Sequence, residues 1–573
     1  MRLNHYLFAL LFLTLAACKQ KPTFSGYSIQ KSTLADSAIV STAHPLASEV
    51  GLAVLKDGGN AIDAAIAVHL ALAVVYPAAG NIGGGGFLVY RSGDGQEVAT
   101  LDFREKAPAK AHRDMYLDAE GNVINGKSIE GHLAAGVPGS VEGCWQMFKK
   151  FSKLKDWKRL VQPAIDLAAK GFHITEAEAS GLNDNRKNFI KNNTQACAFI
   201  KPDSTQKWQT GDLLIQSELA ETLQRIRDQG RDGFYAGKTA DLVAAEMQRG
   251  GGWITAQDMA DYHAVWRKPM LGKYRGYDLI SMPPPSSGGI ALFQLLGMIE
   301  PYDLGKMGFH SPEHIHLFTE AERRVYADRA KHLGDADFYG VPIANLLDSQ
   351  YIQDRFANFD PKKATPSKAI EGGEFTGKES KQTTHYSIVD AEGNAVAITT
   401  TLNGGYGALT VVGGAGFLLN NEMDDFSAKP GVPNLYGAIG GDANAIMPGK
   451  RPLSSMTPTI VTKDGQLCMV VGTPGGTTII TSVFQVITNV IDFKMNMTDA
   501  THAKRFHSQW SPDELYLEKG AANEATRKKL QGMGHKIVEW SGIGLVESIL
   551  LRKDGKLEGV ADNRAEDDTV LGY

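Results

Sequence analysis

Residues 383–401 read TTHYSIVDAEGNAVAITTT. Thr383 to Val389 is a β-branched and aromatic run, Asp390-Ala391-Glu392-Gly393-Asn394 is a cluster of turn formers, and Ala395 to Thr401 returns. Two such runs around such a cluster predict an antiparallel hairpin. The stretch before it, residues 361–382 (PKKATPSKAIEGGEFTGKESKQ), is rich in Lys, Ser, Gly and Pro, with Phe375 its only aromatic residue. That composition predicts an exposed, flexible linker. A linker that runs directly into a strand headed by Thr has a chemical consequence. A cut between Gln382 and Thr383 leaves a free amine and a hydroxyl on one residue, held in place by the strand.

The rest of the chain is consistent with a large globular protein. It has 573 residues, 43% of them hydrophobic and 21% charged. Length alone suggests three or four domains, and disorder is excluded for most of the chain. Lys and Arg number 59 against 64 Asp and Glu, a net charge of −5. No cationic excess is present to hold nucleic acid. Glycine is over-represented at 62 residues, about 11% against a usual 7%, so glycines are expected at specific turns and close backbone approaches.

Residues 1–17 read as an export signal: Arg2 supplies positive charge, Tyr6–Ala17 is uncharged and apolar, and Leu15-Ala16-Ala17 leads into Cys18. The apolar run is too short for a typical membrane span. Small residues before a cysteine resemble the lipobox of bacterial lipoproteins, in which Cys18 would become the lipidated N-terminus; a plain secretory peptide is the alternative. Cys144, Cys197 and Cys468 are widely spaced and without a CxxC, which excludes a disulfide scaffold and gives no support to a zinc site. His310, His314 and His316 cluster near a helix start marked by Ser311-Pro312; His310 and His314, four apart, could share a face, but no third ligand joins that pair.

Residues 46–76 are helical in pattern, broken at Lys56-Asp57-Gly58-Gly59-Asn60. Asn81-Ile82-Gly83-Gly84-Gly85-Gly86 then turns into the apolar strand Phe87–Tyr90, in the reverse order to a phosphate loop. Residues 158–335 read as alternating helices and loops. No GxSxG elbow, HExxH or EF-hand loop is present.

Thr383-Thr384-His385-Tyr386-Ser387 resembles the nucleophile segment of the γ-glutamyltranspeptidases, members of the N-terminal nucleophile hydrolases. Further segments resemble the family in the same order: His44 to Phe87, Leu101-Asp102-Phe103-Arg104, Ser281 to Gly289, Leu419 to Phe426, Arg451 to Thr459, and Pro474-Gly475-Gly476. The likeness runs from about residue 27 to the C-terminus. It implies an α+β fold, a four-layer αββα sandwich formed by two chains cut from one precursor. The large chain would span 18–382 and the small catalytic chain 383–573, together one catalytic unit.

The resemblance also implies roles. Thr383 would attack the Gln382 carbonyl to cut the chain, then act as nucleophile on a γ-glutamyl amide. Its freed α-amine, with a reference pKa of about 7.7–8.0, suits the task of base. Thr401 would orient the hydroxyl, and Gly475 and Gly476 would form the oxyanion hole. Arg104, Ser454 and Ser455 would bind the substrate α-carboxylate; Asn403, Glu422 and Asp425 would bind its α-ammonium. Tyr436 would gate the site from a lid spanning Pro430 to Gly441. No cofactor or metal is implied. The expected substrates are glutathione and other γ-glutamyl compounds, with water, amino acids or dipeptides as acceptors. The expected location is the periplasmic face of the outer membrane or the cell surface, through the lipid on Cys18. The rival readings are a glutaryl or cephalosporin acylase, a poly-γ-glutamate depolymerase, and an inactive substrate-binding lipoprotein.

Overall fold

The computed structural model describes residues 26–371 and 383–573. The export signal, Cys18 and Gln382 lie outside the described residues. Fourteen strands build two seven-stranded antiparallel sheets. In chain order they are β1 (Ser32–Ala35), β2 (Ile39–Thr42), β3 (Gly85–Arg91), β4 (Val98–Asp102), β5 (Val265–Arg267), β6 (Met270–Tyr274) and β7 (Tyr277–Ser281). They continue as β8 (Thr384–Val389), β9 (Ala395–Thr401), β10 (Thr459–Lys463), β11 (Gln466–Gly472), β12 (Glu547–Leu551), β13 (Leu557–Ala561) and β14 (Thr569–Gly572). One sheet runs β1-β13-β12-β11-β10-β7-β6 and the other β14-β2-β8-β9-β3-β4-β5.

The expected hairpin is β8–β9, paired from Thr384 opposite Thr400 to Val389 opposite Ala395. Its turn is fixed by Asp390, whose Oδ1 accepts the amides of Glu392 (2.9 Å) and Asn394 (3.0 Å). Gly393 supplies the left-handed residue at φ +80°.

Apolar side chains fill three layers. Between the sheets lie Ile39, Val89, Val389, Ala397, Ile460, Val470, Ile549 and Val570. The outer face of the β8–β9 sheet is covered by helices, among them α1 (Pro45–Lys56) and α2 (Ala61–Val75). Every residue of α2 is buried, Asp63 and His69 included, so this largely apolar run is a core helix. Its start is capped reciprocally by Asn60 and Asp63. The other sheet is covered by α3 (Gly288–Ile299), α4 (Pro312–His332) and α5 (Thr478–Ile491). The four-layer αββα expectation therefore holds. No helix among the described residues is long and apolar enough to cross a membrane.

One expectation is corrected. Residues 158–335 are not only helices and loops, because β5, β6 and β7 interrupt them. The first half of the linker is mostly exposed, as expected, but it is anchored at three points. Ala364, Ser367 and Ile370 are buried, the Ala364 amide bonds the Met533 carbonyl at 2.8 Å, and the Ser367 carbonyl accepts from the Trp510 indole at 3.0 Å. A few small and apolar residues pin a segment whose average composition is that of a linker. The remainder of the linker lies outside the described residues.

Candidate active site

Thr383 stands one residue before β8, and the β8–β9 register extended by one step sets it opposite Thr401. It is buried, only 6% exposed. The end of β9 is tied down on both sides: the Asn403 amide bonds Thr401 Oγ1 at 2.7 Å, and Asn81 Nδ2 bonds the Thr401 carbonyl at 2.9 Å. The glycine run 83–86 permits this closeness, since a Cβ on Gly84 would sit 2.0 Å from the Thr401 carbonyl oxygen. The histidine nearest in sequence is not available as a base. His385 bonds Thr399 Oγ1 at 2.8 Å and Ser387 Oγ at 3.1 Å, and burial pushes its pKa down to about 3.

Gly475 and Gly476 lead into α5 at φ +139° and +58°, backbone that side chains resist. A Cβ on Gly475 would lie 2.4 Å from Thr478 Oγ1, and one on Gly476 would lie 2.7 Å from the Tyr436 ring. Their amides stand at the positive end of a 14-residue helix, where negative charge is favoured.

One pocket gathers Thr383, Thr401, Asn403, Arg104, Glu422, Asp425, Ser454, Ser455, Tyr436 and Gly476. Arg104 is its electrostatic centre. Its guanidinium bonds Glu422, and bonds Asp425 at 2.5 Å; the Pro452 and Leu453 carbonyls accept from it at 3.3 Å. Glu105 is 3.7 Å away. Burial opposes the charge on Arg104, but Glu422, Asp425 and Glu105 together push its pKa up. Burial pushes Glu105 up to about 7. Burial, with repulsion from Glu105 and Asp425, pushes Glu422 well above its usual range.

Among the described residues, three side-chain atoms lining this pocket are buried without a hydrogen-bond partner: Asn403 Oδ1, Glu422 Oε2 and the Ser427 hydroxyl. A buried orphan acceptor is costly, and a ligand that donates hydrogen bonds removes the cost. Ser454 and Ser455 are held on the opposite wall by the Ser286-Ser287 turn. The Ser287 amide and hydroxyl bond the Ser454 carbonyl at 2.7 and 2.6 Å.

The segment from Pro430 to Gly441 closes over the pocket. Asn434 Nδ2 bonds Asp425 Oδ1 at 2.9 Å, and the Tyr436 hydroxyl donates to the Asn403 carbonyl. On the far side of Thr383 a second recess opens, lined by Tyr76, Gly475, Lys504, Gly544 and Arg564.

All the site residues expected within the described chain therefore meet at Thr383. Sequence reasoning missed Glu105, Ser287, Asn434 and Arg329. Glu105 had a readable signal, its place beside Arg104; Ser287 and Asn434 lie inside the Ser281–Gly289 and Pro430–Gly441 segments already singled out, and Arg329 alone carried none. His310, His314 and His316 do not converge: His314 Nδ1 accepts the His310 amide at 3.0 Å, while His316 turns to His535 at 2.8 Å. Among the described residues no group of three potential metal ligands is found, and Cys144, Cys197 and Cys468 are unpaired thiols.

Two antiparallel sheets between helical layers, with a threonine heading a central strand beside a glycine turn, define an N-terminal nucleophile hydrolase. The γ-glutamyltranspeptidase family model matches residues 47–572. A glutathione hydrolase proenzyme of Escherichia coli is 48% identical over 539 residues, covering 94% of this chain and 92% of that protein. Among solved structures, a cephalosporin acylase from Bacillus halodurans superposes with a TM-score of 0.82 at 25% identity, covering 97% of this chain and 99% of that one. A γ-glutamyltranspeptidase chain of Helicobacter pylori gives a TM-score of 0.57 at 45% identity, covering 61% of this chain and 97% of that one. The chain belongs to the γ-glutamyltranspeptidase family.

Proposed function

We propose that the protein is a self-cleaving γ-glutamyltransferase and glutathione hydrolase with Thr383 as its nucleophile. In maturation, Thr383 Oγ adds to the Gln382 carbonyl and the peptide nitrogen leaves as the Thr383 α-amine. Water then hydrolyses the ester, giving the Gln382 carboxylate and a free Thr383 hydroxyl. In turnover the amine takes the hydroxyl proton, and Oγ attacks the γ-glutamyl carbonyl. The oxyanion is received by the Gly475 and Gly476 amides; losing one such donor costs about 2.7–4 kcal/mol. The proton passes to the departing Cys-Gly amine, and water or an acceptor amine cleaves the γ-glutamyl ester.

The observation that carries this reading is the charge pattern of the pocket. A γ-glutamyl group bears an α-carboxylate and an α-ammonium. The carboxylate suits Arg104 with Ser454 and Ser455; the ammonium suits the unpartnered Asn403 Oδ1 and Glu422 Oε2, with Asp425. A glutaryl group lacks the ammonium and would leave both acceptors orphaned, which weighs against an acylase. The lid from Pro430 to Gly441 weighs against a polymer lying across the site. Conversion of glutathione to glutamate and Cys-Gly by wild type, and its loss in an uncut Thr383→Ala chain, tests the reading. Turnover by Thr383→Ala at the wild-type rate would refute it.

The same proposal places the enzyme outside the cytoplasm as a lipoprotein, supported by Arg2, the apolar run Tyr6–Ala17 and the small residues before Cys18. Labelled palmitate should enter wild type and not Cys18→Ser; equal labelling would overturn the anchor.

A further inference from the structure

A second buried arginine lines the donor pocket. Arg329, in the last turn of α4, is 7% exposed and shares the pocket with Arg104, Ser454 and Ser455. Its Nε donates to Ser287 Oγ at 3.0 Å and its Nη2 to Ser455 Oγ at 2.9 Å. Buried Arg323, Arg324, Arg505 and Arg564 each have a carboxylate within 4.0 Å. Among the described residues Arg329 has none; Tyr326, Asp425 and Arg104 act on it through space. A buried guanidinium without a counter-ion is costly, so the free site favours an arriving anion.

The hydrogen bonds also have a direction. A serine hydroxyl carries one proton and two lone pairs. Ser455 Oγ accepts from Arg329, and no described residue accepts its proton. That proton is turned away from the guanidinium and is free for a ligand. Ser287, gripped by the same guanidinium, donates to the Ser454 carbonyl and fixes the neighbouring residue.

We propose that Arg329 is a positioning and specificity-determining residue: it sets Ser455 as a hydrogen-bond donor to the substrate α-carboxylate and supplies that pocket's second positive charge. The inference rests on the reading that the carboxylate lies against Arg104, Ser454 and Ser455.

Three p-nitroanilides separate the possibilities: γ-glutamyl, glutaryl (carboxylate without ammonium) and 4-aminobutanoyl (ammonium without carboxylate). For Arg329→Met, KM is expected to rise about 10- to 100-fold on the first two, the worth of a hydrogen bond to a charged group. kcat/KM on the third should not change. Arg329→Lys should recover part of the loss. Arg329→Met combined with Ser455→Ala should be no worse than the poorer single variant, because one acts through the other. Equal losses on all three substrates, or additive losses in the double variant, would overturn the proposal. Arg104→Met distinguishes the two failures. If it too shows no preference for carboxylate-bearing substrates, the donor-site reading is wrong; if it does and Arg329→Met does not, only the role of Arg329 falls. Cleavage into two chains on a denaturing gel reports folding. Should Arg329→Met remain uncut, Arg329→Lys and Ser287→Ala carry the same comparison.

Discussion

Replacing Arg104 by Met removes the positive centre of the donor pocket while keeping much of its bulk. The guanidinium bonds Glu422 and Asp425, and lies 3.7 Å from Glu105. Without it, the buried carboxyls of Glu105 and Glu422 face each other uncompensated, and their already raised pKa values rise further. Breaking a buried pair costs about 3–5 kcal/mol in general, and here proton uptake by Glu105 and Glu422 relieves part of that. The variant should therefore fold and cut itself, at a thermal midpoint several degrees lower. Binding has no such relief: the substrate carboxylate loses its charged partner, worth about 2–5 kcal/mol. That converts to a fall in kcat/KM of about 30- to 5,000-fold, carried mainly by KM. The assay is release of p-nitroaniline from γ-glutamyl and glutaryl p-nitroanilide, with the 4-aminobutanoyl compound as control. An unchanged KM for γ-glutamyl-p-nitroanilide would refute the assignment of Arg104 to the carboxylate.

Other consequences follow from the same geometry. Glu105 at about 7 and the raised Glu422 keep a proton that a substrate ammonium must displace, so KM for the γ-glutamyl compound should fall as pH rises through 7. KM for the glutaryl compound should not, and parallel profiles would contradict the ammonium site. On stability the sign is reversed: a carboxyl raised in the folded state stabilises at low pH and loses that contribution as pH rises through its folded pKa. Relative to Glu105→Gln, wild type should therefore lose thermal stability between pH 5 and 8, measured by differential scanning fluorimetry. Gly476→Ala places a Cβ 2.7 Å from the Tyr436 ring at φ +58°, and should lower kcat about 100- to 1,000-fold by displacing an oxyanion donor; wild-type kcat would remove Gly476 from the hole. Tyr436→Ala should loosen the lid, raising KM for small donors and admitting longer γ-glutamyl chains, read as hydrolysis of γ-glutamyl oligomers.

The hairpin was legible because period-two β-branched runs around Asp390–Asn394 leave little choice of structure. The glycine excess was legible in kind: Gly84 and Gly476 sit where another backbone or ring leaves no room for a Cβ. Helix α4 shows what was not legible. Its sequence, PEHIHLFTEAERRVYADRAKH, is rich in charged residues, yet most of it is buried. Its charges are met within the helix, as Glu320 with Arg323 and Arg324, or across the fold, as Arg329 with Ser287 and Ser455. Sequence periodicity weighs hydrophobicity and cannot see such partners. The anchoring of the mostly exposed stretch 361–371 escaped for the converse reason: its average composition hides Ala364 and Ile370, the residues that pin it.

The central claim is that Thr383 becomes an N-terminal residue and carries the γ-glutamyl group. Mass spectrometry of purified enzyme, acid-quenched during turnover of a γ-glutamyl substrate and digested to peptides, tests both halves. The account predicts a peptide beginning at Thr383 with a free amine, and a second form heavier by one γ-glutamyl group on that threonine. A chain still continuous through Gln382–Thr383, or a γ-glutamyl group on any other residue, would contradict it.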